Sequence, residues 1–299
     1  MAHVHRETAA GRSRGALLGA LAVTGSFLVV EVLGAVWSGS LALAADAGHM
    51  LTDVGGLVLA LFAVWVAARP PTPAKTYGYY RVEILAATAN ALILLGVAGF
   101  ILFEAYQRIR TPRAVDGGIM LAVAVAGLGA NLVAAWLLRR DAAHSLNVRA
   151  AYLEVLGDAL SSVGVVLSAL IVMRTGVAIV DPLVSALIAL FIVPRTWRLL
   201  TQAVNVLLEG TPSHLDLAEI EAAMVQVVGV RRVHDLHVWT LTSGREAMSA
   251  HVVVADVRES ERLLDALHTV LHARFGIDHT TIQLDPEPPV LRIKVPGGV

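Results

Sequence analysis

The chain of 299 residues contains no cysteine and has few charged side chains. Without cysteine it cannot form disulfides, thiolate metal ligands or thiol nucleophiles. Charged residues make up 16 % of the sequence and hydrophobic residues 56 %, whereas an average soluble domain has about 25 % charged residues. The net charge of −1 provides no broad basic surface for nucleic acid. These scarcities favour an integral membrane protein surrounded by lipid.

The few charges are unevenly distributed. Residues 1–208 hold 26 of the 47 Lys, Arg, Asp and Glu residues, and the last 91 residues hold 21. The first part also contains six apolar stretches, most of them long enough to cross a bilayer. These stretches cover residues 15–37, 41–68, 84–107, 117–138, 150–173 and 177–193. We therefore predict an N-terminal tail at 1–14, an all-α bundle of six membrane helices within 15–208, a soluble domain at 209–287 and a C-terminal tail at 288–299.

Basic residues predict the orientation of these spans, because Lys and Arg are retained on the cytoplasmic side. The tail and connections on one side of the six spans contain eleven Lys and Arg residues, and those on the other side contain four. With an even number of spans, both termini lie on the side with eleven. We therefore predict that both termini are cytoplasmic.

The last third of the chain has the pattern of a small α+β domain. Helical periodicity covers 215–228, two β-rich runs follow at 233–241 and 247–254, and a hairpin turn at 242–245 separates them. A second apolar helical stripe covers 263–271 and a third β-rich run covers 280–284. The order αββαβ predicts a sheet backed by helices, too small and too poor in pockets for an enzyme domain.

Ionisable side chains inside the membrane spans mark the candidate site. The second span carries Asp46, His49 and Asp53, and the fifth carries Glu154 and Asp158. Each such group costs about 2.5–3.5 kcal/mol at mid-helix, so it must be compensated. Neither span contains Lys or Arg. Other polar residues in the spans, Glu31, Asn90 and Asn131, are interpreted as helix-packing hydrogen bonds.

A divalent cation would compensate the ionisable groups of spans two and five. His49 and Asp53 are four residues apart, as are Glu154 and Asp158, so each pair projects from one face of its helix. One imidazole and three carboxylates form a four-coordinate set that Zn²⁺ accepts. The alternative is a structural polar cluster, or protonated carboxyls that hydrogen-bond between the helices. Small residues along both spans permit the close approach that a metal site needs, and we favour the metal.

A metal site at membrane depth predicts transport or catalysis. An intramembrane metalloprotease needs a motif such as H-E-x-x-H, which the chain lacks. Transport is therefore favoured, and the protein is not expected to be an enzyme. Because metal binds deprotonated carboxylates and neutral imidazole, loading releases protons. His49 and Glu154 are the predicted proton carriers, since histidine titrates near neutral pH and apolar burial increases the proton affinity of a carboxyl.

Five motifs carry a family resemblance. They are Ala45-Asp46-Ala47-Gly48-His49-Met50-Leu51-Thr52-Asp53, Tyr77-Gly78-Tyr79-Tyr80-Arg81-Val82-Glu83, Tyr152-Leu153-Glu154-Val155-Leu156-Gly157-Asp158, Val206-Leu207-Leu208-Glu209-Gly210 and His234-Asp235-Leu236-His237-Val238-Trp239. Together they resemble the cation diffusion facilitators, and most of all the cobalt-zinc-cadmium resistance branch. The resemblance extends from about residue 14 to residue 286.

The resemblance implies a homodimeric exporter in a bacterial inner membrane, with a metallochaperone-like (ferredoxin-like) cytoplasmic domain. It implies that divalent metal leaves the cytoplasm in exchange for protons, giving metal tolerance, without an organic cofactor. His49, Asp53, Glu154 and Asp158 would form the transport site. By position, His234, His251, His279 and Asp285 would bind metal, with Zn²⁺ the expected ion, in the cytoplasmic domain.

Two questions stay open at the level of sequence. Zinc members of the family commonly have histidine where Glu154 stands, and an oxygen ligand there should relax discrimination among Zn²⁺, Co²⁺ and Cd²⁺. A manganese or iron exporter of the same fold, or a membrane metal sensor that transports nothing, are the alternatives. His237 is three residues from His234 on a predicted strand, so the two should face opposite sides. A ligand role and a structural hydrogen bond are equally compatible with His237.

Overall fold

The computed structural model describes residues 9–140, 142, 146–242 and 244–287. Residues 1–8 of the predicted N-terminal tail, the predicted C-terminal tail and Ser243 in the predicted turn lie outside this part. Six long helices come first. They are α1 (Ala9–Ser38), α2 (Leu41–Ala67), α3 (Arg81–Arg110), α4 (Gly117–Leu138), α5 (Leu146–Thr175) and α6 (Val180–Leu207). This order confirms the predicted helical membrane domain.

Five of the long helices have the length and hydropathy of a membrane span over the described residues, namely α1, α3, α4, α5 and α6. Helix α2 has 27 residues, which is long enough to span a bilayer, and it carries Asp46, His49 and Asp53. Helix α6 continues to Leu207, although its apolar run ends at Val193 and Pro194 follows. The end of the helix lies within the predicted membrane domain of 15–208 but beyond the apolar stretch, because hydropathy does not mark where helical backbone ends.

The chain divides into two compact units. The membrane unit comprises the described residues up to 62 and residues 86–200. Helices α1, α4 and α5 pack together in it at close crossings. A Cβ at Gly127 of α4 would lie 2.7 Å from the ring of Phe27 on α1, and one at Gly117 would lie 2.6 Å from Met173 on α5. These helices therefore approach each other only because α4 has glycine at these positions.

Within the membrane unit, a buried carboxylate anchors the start of α2. Asp181 at the start of α6 is fully buried and accepts hydrogen bonds from the backbone N–H of Leu41 at 2.7 Å and of Ala42 at 3.2 Å. These N–H groups have no partner within their own helix, and an anion is stabilised at a helix N-terminus. The contact fixes the end of the helix that carries His49 and Asp53.

The C-terminal unit comprises residues 63–85 and the described residues from 201 onward. Its elements after α6 are α7 (Leu217–Val225), β1 (Val230–Thr242), β2 (Arg245–Val254), α8 (Ser260–Phe275) and β3 (His279–Pro286). The sheet order is β1-β2-β3, with β1 antiparallel and β3 parallel to β2. The predicted αββαβ order is confirmed.

The core of this unit lies on one face of the sheet. Alternate β2 residues, Met248, Ala250, Val252 and Val254, pack with Ile220 and Met224 of α7 and with Leu263, Leu267 and Leu271 of α8. Because successive strand residues point to opposite faces, His251 and Ser249 point away from the helices. The candidate metal ligands of β2 therefore lie on the open face of the sheet.

Candidate metal-binding sites

Three of the four predicted membrane ligands converge. His49 Nε2 lies 3.5 Å from Asp53 Oδ2 and 3.5 Å from Asp158 Oδ1. All three ligand atoms lie within 4.8 Å of one another. The His49 and Asp158 side chains are 12 % and 11 % exposed, and that of Asp53 is 33 % exposed. The i,i+4 spacing on α2 and the packing of α5 thus place one imidazole and two carboxylates around one point.

The fourth predicted ligand, Glu154, is not part of this group. Its Oε1 accepts a hydrogen bond from Arg195 Nη2 of α6 at 3.0 Å. The predicted second and fifth spans contain no basic residue, and Arg195 belongs to neither of them. The contact could not be found from sequence because Arg195 lies beyond the apolar run that was predicted as the sixth span.

The three converging side chains have the donor set of a zinc site with an open position. Nitrogen from His and oxygen from carboxylates bind Zn²⁺ at about 2.0–2.2 Å, and sites with three protein ligands keep a fourth position for water or another donor. Small movements of the three side chains would bring their atoms from 3.5 Å separation to a common ion. Glu154 would complete the set if it left Arg195.

A second group lies on the open face of the C-terminal sheet. His251 Nδ1 is 3.0 Å from Asp285 Oδ2, and His234 Nε2 is 3.7 Å from the same oxygen. The two imidazole rings are 5.2 Å apart between their centroids. The strand register explains this arrangement, because His234 pairs with His251 across β1 and β2, and β3 runs alongside β2.

Hydrogen bonds favour the charged form of Asp285, which is the form that binds a cation. The hydrogen bond from Gln283, and then that from His251, hold the pKa of Asp285 below its usual range. A lowered pKa means that the carboxylate stays charged at neutral pH. Two imidazoles and one carboxylate that is charged at neutral pH form the kind of ligand set that suits Zn²⁺.

The prediction that His234 and His237 face opposite sides was wrong. In the β1–β2 ladder His234 pairs with His251, whereas His237 pairs with Ser249, so β1 has one more residue than β2 between these pairs. This is a β-bulge, and Asp235 within it has a positive φ of 51°, which is not a regular strand value. Since His251 and Ser249 are two residues apart on β2, His237 and His234 share one face.

The bulge also brings Asp235 to the group, which the sequence analysis missed. Asp235 Oδ1 lies 3.0 Å from His237 Nε2, and its Oδ2 lies 3.9 Å from His251 Nε2. His237 therefore has a hydrogen-bond partner in Asp235, and this same Asp235 lies near His251 of the metal-binding group. Only a turn-forming Asp next to a strand histidine could have signalled this from sequence.

The structure does not bring His279 to this group. In the parallel β2–β3 ladder Gln283 pairs with His251, while His279 pairs with Ala247. Four strand residues span about 13 Å. The ring of His279 instead contacts that of Tyr77 edge-on, with centroids 5.4 Å apart. Histidine spacing in a sequence cannot reveal this, because it depends on the register of a parallel strand.

The two parts of the sequence match two family descriptions. Residues 17–208 match "Cation efflux transmembrane domain", and residues 212–287 match "Cation efflux protein, cytoplasmic domain". The first match alone covers more than half of the chain.

Several proteins are similar to the chain over most of its length. A metal cation efflux system protein, CzcD, of Cupriavidus metallidurans is 48 % identical, over 90 % of this chain and 85 % of that protein. The zinc transporter ZitB of Escherichia coli is 45 % identical, over 96 % and 94 %. A cadmium, cobalt and zinc/H(+)-K(+) antiporter of Bacillus subtilis is 37 % identical, over 96 % and 93 %. A solved metal-bound C-terminal domain of CzcD is 40 % identical over 24 % of this chain and 99 % of that chain, with a TM-score of 0.23.

Proposed function

The chain belongs to the cation efflux family, and on that premise we propose that it exports Zn²⁺, and also Co²⁺ and Cd²⁺, in exchange for protons. Members of this family are membrane transporters and not enzymes, and this chain is an integral membrane protein that moves divalent metal cations. We propose which metals are transported, that their transport is coupled to protons, and which residues bind the metal and the protons.

One observation carries the proposal, which is the convergence of His49, Asp53 and Asp158. Their helices, α2 and α5, lie in the part of the chain that matches the transmembrane domain. Ionisable groups within a membrane are costly unless they are paired, and they mark ion pathways. We assign these three residues to the transport site, with Glu154 joining when the ion is bound.

The donor set favours zinc and its chemical neighbours. Imidazole suits Zn²⁺ and Co²⁺ better than Mn²⁺, which is bound mainly by oxygen ligands. The oxygen ligand contributed by Glu154 should widen the range of accepted ions. The names of the similar proteins, one a zinc transporter and one a cadmium, cobalt and zinc antiporter, support this range.

Proton exchange follows from the chemistry of the ligands. Metal binds to deprotonated carboxylate and neutral imidazole, so each loading step releases protons and protonation promotes unloading. If the site opens alternately to the two sides, an inward proton gradient drives metal outward. His49 and Glu154 are the proposed carriers, and the name of the Bacillus subtilis antiporter supports coupling to H⁺.

We assign a separate metal site to the C-terminal domain. His234, His251 and Asp285 would bind Zn²⁺ on the open face of the sheet, and we leave His279 out of this set because of its register on β3. We further propose that the protein is a homodimer in a bacterial inner membrane, with both termini and this domain in the cytoplasm. The description of the second matching region as a cytoplasmic domain supports that orientation.

Proteoliposomes test the proposal. Purified protein is reconstituted into vesicles, a pH gradient is imposed, and uptake of Zn²⁺, Co²⁺, Cd²⁺ and Mn²⁺ is measured by elemental analysis of the vesicles. We expect Zn²⁺ flux that depends on the gradient and is lost in Asp158→Asn. Asp265→Asn is the matched control, since Asp265 is an exposed residue of α8.

Each rival function gives a different result in the same assay. A metal sensor would bind Zn²⁺ without any flux, and a manganese exporter would transport Mn²⁺ in preference to Zn²⁺. Zinc flux that ignores the pH gradient would contradict proton exchange, and full flux in Asp158→Asn would contradict the assigned site.

A further inference from the structure

A chain of hydrogen bonds joins three membrane helices next to the transport site. Asn131 Nδ2 on α4 donates to Ser162 Oγ on α5 at 3.2 Å, and Ser162 Oγ donates to Asp46 Oδ2 on α2 at 3.5 Å. The three residues are 1 %, 2 % and 2 % exposed, respectively. None of them belongs to the group assigned to the transport site. Asn131 thus forms the helix-packing hydrogen bond expected from the sequence, and the chain extends it to the helix that carries His49.

The chemistry of the three groups sets the direction of the bonds. An amide nitrogen only donates, and a serine hydroxyl has a single hydrogen, which Ser162 gives to the carboxyl oxygen of Asp46. The bond from Asn131 therefore orients the hydroxyl of Ser162 towards Asp46. In so buried a place water does not replace a lost partner, and a buried polar group that loses its partner is unfavourable.

The chain lies one helical turn from the contact between His49 and Asp158. Asp46 precedes His49 by three residues on α2, and Ser162 follows Asp158 by four residues on α5. Residues at these spacings share one face of a helix. The two helices are therefore bridged twice along the same faces, once between His49 and Asp158 at 3.5 Å and once between Asp46 and Ser162. Two bridges fix both the separation of the helices and the direction in which the ligands point.

Helix α5 provides the fixed side of this arrangement. It packs closely against α4, where a Cβ at Gly117 would lie 2.6 Å from Met173. Asn131 lies on α4 itself, so the chain connects this closely packed pair of helices to α2. The other two ligands of the transport site lie on α2. The chain therefore holds their helix at a set distance from Asp158.

The separation of the ligand atoms matches zinc. Two ligands of a tetrahedral site are about 1.6 bond lengths apart, so Zn²⁺ with bonds of about 2.0–2.2 Å needs ligand atoms about 3.3–3.6 Å from each other. His49 Nε2 lies 3.5 Å from both Asp53 Oδ2 and Asp158 Oδ1. Cd²⁺ is a larger ion with longer bonds, so it needs a wider gap between α2 and α5. The spacing of these helices can therefore discriminate between two ions of the same charge.

We propose that Asn131 and Ser162 are positioning residues that hold α2 at the distance from α5 that suits Zn²⁺, and that they thereby set the preference of the transport site for Zn²⁺ over Cd²⁺. The inference rests on the proposed function, since it assigns the specificity of the same site. Neither residue is a ligand. Both act through Asp46 on the helix that carries His49 and Asp53.

The ratio of two dissociation constants distinguishes this role from general stabilisation of the fold. A residue that only stabilises helix packing affects the site for both ions, and the ratio of their dissociation constants is unchanged when it is replaced. A wider gap between α2 and α5 weakens binding of Zn²⁺ more than binding of Cd²⁺. The Kd of Cd²⁺ divided by the Kd of Zn²⁺ then falls.

Equilibrium binding to the purified full-length protein tests the proposal. The parent carries His251→Ala and Asp285→Asn, which removes the C-terminal site, and the affinities for Zn²⁺ and Cd²⁺ are measured by competition with a chelating dye. In Ser162→Ala and in Asn131→Leu the ratio should fall by about two- to tenfold, the effect of one ordinary hydrogen bond. The double variant should show no larger change than Ser162→Ala alone, because both residues act through one chain.

Ser168→Ala is the matched control. Ser168 is a fully buried residue of α5 whose hydroxyl has no partner among the described residues, and it is not part of the chain. Its ratio should equal that of the parent. The comparison separates the loss of this hydrogen-bond chain from a general effect of removing a buried hydroxyl from α5.

An unchanged ratio in Ser162→Ala and Asn131→Leu overturns the proposal, even if both affinities fall. Should one of the variants not fold, the other decides the outcome. Should neither fold, the parent decides it, because the proposal requires tighter binding of Zn²⁺ than of Cd²⁺ and equal affinities contradict it. Absent Zn²⁺ flux in wild-type proteoliposomes would instead overturn the proposed function, because the binding ratio does not depend on transport.

Discussion

The ion pair between Arg195 and Glu154 yields a quantitative prediction for metal affinity. The two groups are 3.0 Å apart, and their side chains are 61 % and 36 % exposed. Ion pairs this exposed contribute only about 0.2–1 kcal/mol. If Arg195 holds Glu154 away from the ion, Arg195→Gln should tighten Zn²⁺ binding by about 1.4- to 5-fold, since about 1.4 kcal/mol corresponds to a factor of ten.

Competition with a chelating dye on the purified full-length protein measures this change. Arg174→Gln serves as a matched control, because Arg174 is an exposed arginine in the last turn of α5. The difference between Arg195→Gln and wild type should shrink at high salt, since salt screens an exposed ion pair. In a Glu154→Gln background, Arg195→Gln should have no further effect, because the competing carboxylate is gone.

Two results would refute this reasoning. Weaker binding in Arg195→Gln would mean that the arginine supports the site and does not compete with the ion. A persistent effect of Arg195→Gln in the Glu154→Gln background would mean that it acts through another group.

Two further predictions concern stability. Gly127→Ala should lower the unfolding temperature in detergent, because the added methyl meets an aromatic ring of α1 and overpacking costs about 1–3 kcal/mol. Gly129→Ala on the same helix is the control, because a methyl added there meets open space and should leave the unfolding temperature unchanged. Equal effects of the two substitutions would contradict the close crossing of α1 and α4. The lowered pKa of Asp285 stabilises the folded state above the ordinary aspartate value and loses this contribution as the pH falls through the lowered value. The calorimetric unfolding temperatures of wild type and Asp285→Asn should therefore differ by a constant amount above about pH 5 and converge on acidification. A difference that grows at low pH would contradict a stabilising effect of the charged Asp285 carboxylate.

Much of the fold follows from patterns that are local in the sequence. Long apolar runs predict the membrane helices, and alternation of polar and apolar residues predicts β1 and β2. The pair His49 and Asp53 could be found because four residues make about one helical turn. The convergence with Asp158 could be anticipated because unpaired ionisable groups in lipid must find partners.

The remaining features depend on contacts between distant segments. Arg195 contacts Glu154 from α6, a helix that continues beyond the end of its apolar stretch. The bulge at Asp235 places His237 on the same face of the sheet as His234. A single extra residue in a strand changes the pattern of hydrophobic residues very little, so the sequence does not reveal it. The register of β3 decides between Gln283 and His279. Each of these outcomes rests on geometry that sequence periodicity does not encode.

The most direct test of the central claim is X-ray absorption spectroscopy of zinc bound to the membrane site. The full-length protein with His251→Ala and Asp285→Asn, which lacks the C-terminal site, is loaded with one equivalent of Zn²⁺ in detergent. We expect one nitrogen and two or three oxygen neighbours at about 2.0–2.2 Å, with the nitrogen signal lost in His49→Ala. Zinc surrounded by oxygen alone, or an unchanged spectrum in His49→Ala, would contradict a metal site built from His49, Asp53 and Asp158.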